Sequence, residues 1–327
     1  MSTPLMEKIG FIGLGNVGSK LAGSILRNEF DLTVRDLDKK AAAALLDRGA
    51  HWADSPRHMA ESVDIVVTCL PNPSVCATVM EADDGVLAGL GPGKIWAEMS
   101  TTDTDEVRRL GKLIEATGAK AVDCPVSGGC HRATTGNIAI LAGCERPVFD
   151  AMLPLLKAMG RRILHTGELG TASTLKVMTN YLATANLVTL CEALITSKKA
   201  GLNLNTTYEA IRISSGNSFV HETESQVILN GSRNINFTMD LVLKDISLFQ
   251  AIADRAGVAL EISPMLIEIF KDGIERFGER EWSPNIIRRL EEANDVDILA
   301  PGFPPEMLDG EAEESGYEVH PKGCRQA

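Results

Sequence analysis

Lys176 and Asn180 stand four residues apart near the start of a largely apolar or small run, LKVMTNYLATANLVTLCEALI, so a helix puts them on one face. A lysine drawn into an apolar setting is costly unless it has a partner or a task. The alternative is a first-turn lysine whose stem lies along apolar surface and whose ammonium reaches solvent. Three further groups could do chemistry. Gly13-Leu14-Gly15-Asn16-Val17-Gly18 has the G-x-G-x-x-G spacing, which makes a tight turn, lets backbone approach a pyrophosphate and lets helix pack on strand. Asp36 ends the next apolar run, where an acid suits the ribose 2′-hydroxyl of NAD. The neighbouring Arg35 keeps NADP open. Ser127-Gly128-Gly129 offers a hydroxyl and two unencumbered backbone N–H groups to a small carboxylate, and reads otherwise as a glycine turn.

The elements around these groups follow a βα rhythm. KIGFIGL runs straight into the glycine loop and a helix to Arg27; Asp31–Arg35, Asp64–Leu70, Lys94–Glu98, a strand before Ser127, Ile138–Ala142 and Arg161–His165 read as further strands between helices. That alternation predicts an α/β fold, a Rossmann-like doubly wound parallel sheet, with ligands at the carboxyl ends of its strands. Leu70, Pro71 and Ser100-Thr101 fall on that rim. From Gly170 a helical pattern runs to Lys199 before the stop at Gly201, a strut of about 40 Å that is apolar on most sides and therefore expected to be buried. Helices then follow, to Ser214 and over about 241–256, 264–277 and 284–293, with 215–218 a turn. The expected domains are 1–167, binding NAD(P); 168–294, helical, for substrate and oligomerisation; and a tail, 295–327, rich in Pro, Gly and Glu and expected to be loosely ordered.

Composition narrows the partners. Of 327 residues, 44% are hydrophobic and the net charge is −12, which argues against nucleic acid and anionic membrane surfaces. Seven scattered cysteines without C-x-x-C, and six dispersed histidines, give neither a disulfide framework nor a metal site and fit a reducing cytoplasm. MSTPLMEK lacks the charged and apolar regions of a signal peptide.

Gly13–Gly18, Asp36, DCPVSGG and the G-x-x-G…K-x-x-x-N run, in this order over residues 8 to 292, resemble the β-hydroxyacid dehydrogenase family. The resemblance implies a Rossmann-like NAD(P) domain followed by an all-helical domain entered through a long interdomain helix. It implies that Ser127, Gly128 and Gly129 bind a substrate carboxylate, that Lys176 is the catalytic lysine and Asn180 orients the substrate, and that Lys244, in FTMDLVLKD, lies near the nicotinamide. Thr179 replaces the histidine of the related 6-phosphogluconate dehydrogenases, and Lys176 departs from the similar imine reductases, which lack that lysine. The implied reaction is hydride transfer between NAD and a small anionic 3-hydroxy acid, with Lys176 as general acid and base, in a homodimer or homotetramer. The alternatives are an NADP-linked reductase of the tartronate or succinic semialdehyde type and a non-catalytic nucleotide-binding scaffold. No metal is expected. Burial or a nearby cation lowers a lysine's pKa toward working pH, which the role requires. His131 and Arg132, after Ser-Gly-Gly, suggest a second contact to an acidic distal group of the substrate; a loop rim or a cofactor-phosphate contact is the other reading.

Overall fold

The computed structural model describes residues 8–323, so most of the opening MSTPLMEK, read for a leader, and Cys324 lie outside the described residues. The chain forms two compact units, residues up to 176 together with those from 309 onward, and Val177–Leu308.

In the first unit strands and helices alternate: β1 (Lys8–Ile12), α1 (Gly18–Arg27), β2 (Asp31–Arg35), α2 (Ala43–Leu46), β3 (His51–Trp52), α3 (Pro56–Ser62), β4 (Ile65–Thr68), α4 (Pro73–Glu81), β5 (Ile95–Glu98), α5 (Thr104–Ala116) and β6 (Lys120–Asp123). There follow β7 (Val126–Ser127), α6 (Gly129–Thr135), β8 (Ala139–Gly143), α7 (Arg146–Met159), β9 (Arg162–Gly167) and the long α8 (Thr171–Lys199). Local chemistry starts the helices. Ser55 accepts from the His58 N–H with Pro56 behind it, Asn72 accepts from Val75 N–H ahead of Pro73, and Asp103 accepts from Asp105 and Glu106. β4, Ile-Val-Val-Thr, is buried throughout, as a strand covered on both faces must be.

The strand order is β10-β9-β8-β6-β5-β4-β1-β2-β3, where β10 is Tyr317–Glu318. From β3 to β6 every pairing is parallel. β8 runs antiparallel to β6 and to β7, and β9 and β10 then run parallel to β8. The reversal follows from the short β6–β7–α6–β8 connection, which turns the chain back without a full crossover. Apolar side chains cover both faces, Phe11, Leu21, Ile25 and Phe149 in one layer and Met59, Met80, Trp96 and Ile114 in the other.

The second unit is helical: the rest of α8, α9 (Leu204–Arg212), α10 (Phe219–Asn230), α11 (Met239–Arg255), α12 (Ile262–Phe277) and α13 (Arg288–Asn294). Leu190, Leu194, Ile228, Met239, Ile246 and Phe270 form its centre. α10 has no counterpart in the sequence reading. Ser218, taken there as the end of a turn, is its N-cap and accepts from His221 N–H.

Two expectations need correction. α8 is not buried all round: Leu175, Met178 and Leu182 stand exposed at i, i+3 and i+7, Leu182 at 58%. Nor is the chain from 295 loosely ordered over its described residues. Ala300 N–H donates to Leu229 C=O at 2.9 Å, the Asn230 amide to Phe303 C=O at 2.8 Å, and β10 joins the sheet of the first unit. Composition missed this because the few apolar residues of the segment, Ile298 and Phe303 among them, find places on the helical core, and ion pairs and backbone pairing order the rest. Among the described residues no helix is long and apolar enough to cross a membrane, and no group of His, Cys, Asp and Glu could hold a metal.

Candidate active site

The order β2-β1-β4-β5 makes β1/β4 the point where the winding reverses, and ligands of such sheets lie beyond the strand ends there. The loops that follow are Gly13–Gly18 and Cys69–Pro71. Gly13 has φ +100°, and a Cβ on it would overlap Cys69 C=O; one on Gly18 would overlap Gly13 C=O. A Cβ on Gly15 would meet nothing within 4 Å. Two glycines are thus required by the fold, whereas Gly15 faces open space beside the start of α1, which no side chain caps. A dinucleotide phosphate fits this arrangement of small backbone and helix start.

Asp36 closes the loop onto β2. Its carboxylate accepts from Leu14 N–H at 2.6 Å and Asp38 N–H at 3.2 Å, and each oxygen keeps a further lone pair. Arg35 turns away, donating to Ala53 C=O at 3.0 Å and Asp54 C=O at 2.5 Å. Beneath the other loop lies a buried polar cluster that sequence reasoning missed. Glu98 accepts from Thr68 Oγ1 at 3.0 Å, Cys76 Sγ at 2.7 Å and Ser100 N–H at 2.6 Å; Ser100 Oγ in turn accepts from Leu70 N–H at 2.7 Å. Burial pushes the Glu98 carboxyl up. Leu70 and Pro71 are therefore held through Ser100, next to Thr101. The only sequence signal was an acid closing an apolar strand.

Ser127 ends β7, and Gly128 and Gly129 follow with φ +133° and +85°, conformations that side chains resist. α6 starts at Gly129. His131 and Arg132 are not two cations awaiting an acid. Burial, helped by the Arg132 charge, pushes the His131 imidazole below its ordinary value, and Arg132 donates to Glu311 at 2.6 Å.

Lys176 lies on α8, 7% exposed. The start of this helix is set by Asp123 at the end of β6, which accepts from Gly170 N–H at 2.8 Å and Ser173 N–H at 2.7 Å. Asn180 is one turn beyond Lys176. In the second unit its amide donates to Asp245 Oδ2 at 2.5 Å, and Asp245 Oδ1 lies 3.0 Å from Lys244 Nζ. Asp245, 1% exposed, escaped the sequence reading although it sits in the phrase that gave Lys244. By holding the Asn180 NH₂, a carboxylate assigns that amide's orientation and turns its carbonyl oxygen the other way.

Residues 8–167 match the family described as the NAD binding domain of 6-phosphogluconate dehydrogenase, and residues 170–290 the one described as NAD-binding of NADP-dependent 3-hydroxyisobutyrate dehydrogenase. The chain is 32% identical over 292 residues to the 2-(hydroxymethyl)glutarate dehydrogenase of Eubacterium barkeri, covering 89% of this chain and 97% of that protein. It is 29% identical to the NAD-dependent L-serine dehydrogenase of Pseudomonas aeruginosa, covering 87% and 98%. A solved 3-hydroxyisobutyrate dehydrogenase from Salmonella typhimurium is similar with a TM-score of 0.79 at 26% identity, over 86% of this chain and 99% of that one.

Proposed function

The chain belongs to the β-hydroxyacid dehydrogenase family, NAD(P)-dependent enzymes of hydroxy acids, and on that premise we propose that it oxidises a small 3-hydroxyisobutyrate-like acid with NAD and reduces the semialdehyde in reverse. The observation that carries this reading is Lys176, nearly buried on a helix whose start Asp123 fixes, one turn before an asparagine oriented by Asp245.

The nicotinamide, when bound, exchanges the hydride with the substrate carbon. The protein's residues place the substrate and move its proton. Ser127 Oγ and the N–H groups of Gly128 and Gly129 receive the carboxylate. The second N–H of the Asn180 amide donates to the substrate's reacting oxygen, keeping that oxygen in line with Lys176 and leaving its proton to the lysine. Neutral Lys176 takes the hydroxyl proton in oxidation; its ammonium returns it in reduction. Lys244, paired with Asp245, adds positive charge on the nicotinamide side. Gly13–Gly18 hold the pyrophosphate, Asp36 the ribose, and Leu70, Pro71 and Thr101 the rim.

Arg35, spent on the carbonyls of Ala53 and Asp54, supports NAD. Lys39 and Lys40, in the turn after Asp36, favour the rival reading, an NADP-linked semialdehyde reductase. A scaffold without catalysis is the rival of another class. Reduced-nicotinamide absorbance with NAD or NADP across a panel of hydroxy acids, for wild type and Lys176→Ala, separates the three. Turnover unaffected by Lys176→Ala would overturn the mechanism, and no turnover at all the enzymatic reading. Seven scattered cysteines without C-x-x-C support a cytoplasmic setting. The exposed Leu175, Met178 and Leu182 support a homodimer or homotetramer, which sedimentation would test.

A further inference from the structure

We propose that the C-terminal segment 309–318 is a strap that positions the carboxylate loop, with Asp309 and Glu311 as positioning residues. The proposal rests on the reading of Ser127–Gly129 as that loop. The segment, DGEAEESGYE, lies beyond residues 8–167 and 170–290, the parts matched to known families.

The far end of the strap is anchored on the sheet. Tyr317 and Glu318 pair with Arg162 and Ile163 of β9, and Tyr317 and Val319 N–H donate to Arg161 and Ile163 C=O at 2.8 and 2.7 Å. Arg146 grips Glu318 at 2.6 and 2.9 Å. Gly316 lies so close to Gly160 C=O that a Cβ would overlap it.

The near end holds α6. Asp309 accepts from Thr135 Oγ1 and, at 2.7 Å, from the Asn137 amide, which also donates to Glu311 C=O at 3.1 Å. Glu311 accepts from Arg132 at 2.6 Å and Arg162 at 3.1 Å. On its other side α6 is tied to α1, through Ser24 Oγ to Ala133 C=O at 3.3 Å and Arg27 to Thr134 C=O at 3.0 Å. The last link is direct: a Cβ built on Gly128 would stand 3.2 Å from Arg132 Cδ, so the arginine stem that Glu311 anchors lies against the loop.

This loop needs outside support. It joins two successive positive-φ glycines to a seven-residue helix, and neither fixes its own backbone. Asp309 and Glu311 supply the constraint by charge-assisted bonds in a half-buried site.

The test is steady-state kinetics of full-length Asp309→Asn/Glu311→Gln, with Glu61→Gln as control, because Glu61 loses an ion pair with Arg57 on α3, outside the strap. The double variant is expected to raise the hydroxy-acid KM about threefold or more, leaving the KM for NAD within about twofold of wild type. Its melting temperature should stay close to wild type, since β10 remains paired. Glu61→Gln should leave the hydroxy-acid KM unchanged. In wild type that KM should rise with ionic strength. An unchanged KM in the double variant, an equal rise in Glu61→Gln, or a parallel loss for both substrates with a fall in melting temperature would overturn the strap alone. Absence of wild-type turnover would instead overturn the functional reading, and this inference with it.

Discussion

The carboxylate of Asp123, at the end of a sheet strand, accepts a 2.7 Å hydrogen bond from the backbone N–H of Ser173, in the first turn of the helix that carries Lys176. Its other oxygen takes the Gly170 N–H at 2.8 Å. Room for it comes from Gly143, where a Cβ would overlap Asp123 Oδ1. Burial pushes the Asp123 carboxyl up against the pull of these bonds. The sheet thus sets the rotation of α8, and with it the direction of Lys176. Asp123→Ala leaves two N–H groups buried and unpaired and should cost about 2 kcal/mol, read as a lower denaturant midpoint, together with a fall in kcat. Asp123→Asn keeps one acceptor and should lose less of both.

Asp245 joins Asn180 to Lys244. Asp245→Asn removes the negative member of a nearly buried pair and should cost on the order of 3 kcal/mol. It also replaces the charged acceptor that orients the Asn180 amide with a weaker one. Single-turnover measurements at saturating NAD should therefore show slower hydride transfer even where the protein is fully folded. A variant with wild-type transfer would show that the amide's orientation does not matter.

The glycine loop separates structural from binding glycines. Gly18→Ala would drive its Cβ into Gly13 C=O, and thermal unfolding should fall by several degrees, the mark of a loss of about 1–3 kcal/mol from overpacking. Gly15→Ala meets no protein atom within 4 Å. It should unfold with wild type, yet bind NAD at least about tenfold more weakly, the value of 1.4 kcal/mol, in a fluorescence titration.

Stability should depend on pH through two histidines. Burial chiefly holds His131 and His221 below the ordinary value of 6.5, so both are neutral in the fold at pH 7. The unfolded chain takes up their protons first as pH falls. Their contribution is fully present above 6.5 and declines as pH drops below it toward the folded values. Denaturant unfolding at pH 7.5 and 5.5 should show the loss, and His221→Gln should reduce it.

What the sequence determined by itself was whatever is local in the chain. The glycine spacing, the largely apolar β4 and the length of α8 each follow from the preferences of neighbouring residues, and together they made the α/β unit and its helical successor legible. The i, i+4 relation of Lys176 and Asn180 was legible for the same reason. Tertiary structure decided the partners of polar groups distant in sequence: Asp123 with Gly170 and Ser173, Asp245 with Asn180, Glu98 with Cys76, Arg132 with Glu311. Such pairs leave no periodic trace, because a carboxylate seeks any donor the fold brings near and neither residue type nor spacing says which. The tail shows it most plainly. Its acids read as disorder while the chain was linear, and became fastenings once the fold set Arg132, Arg146, Arg161 and Arg162 beneath them.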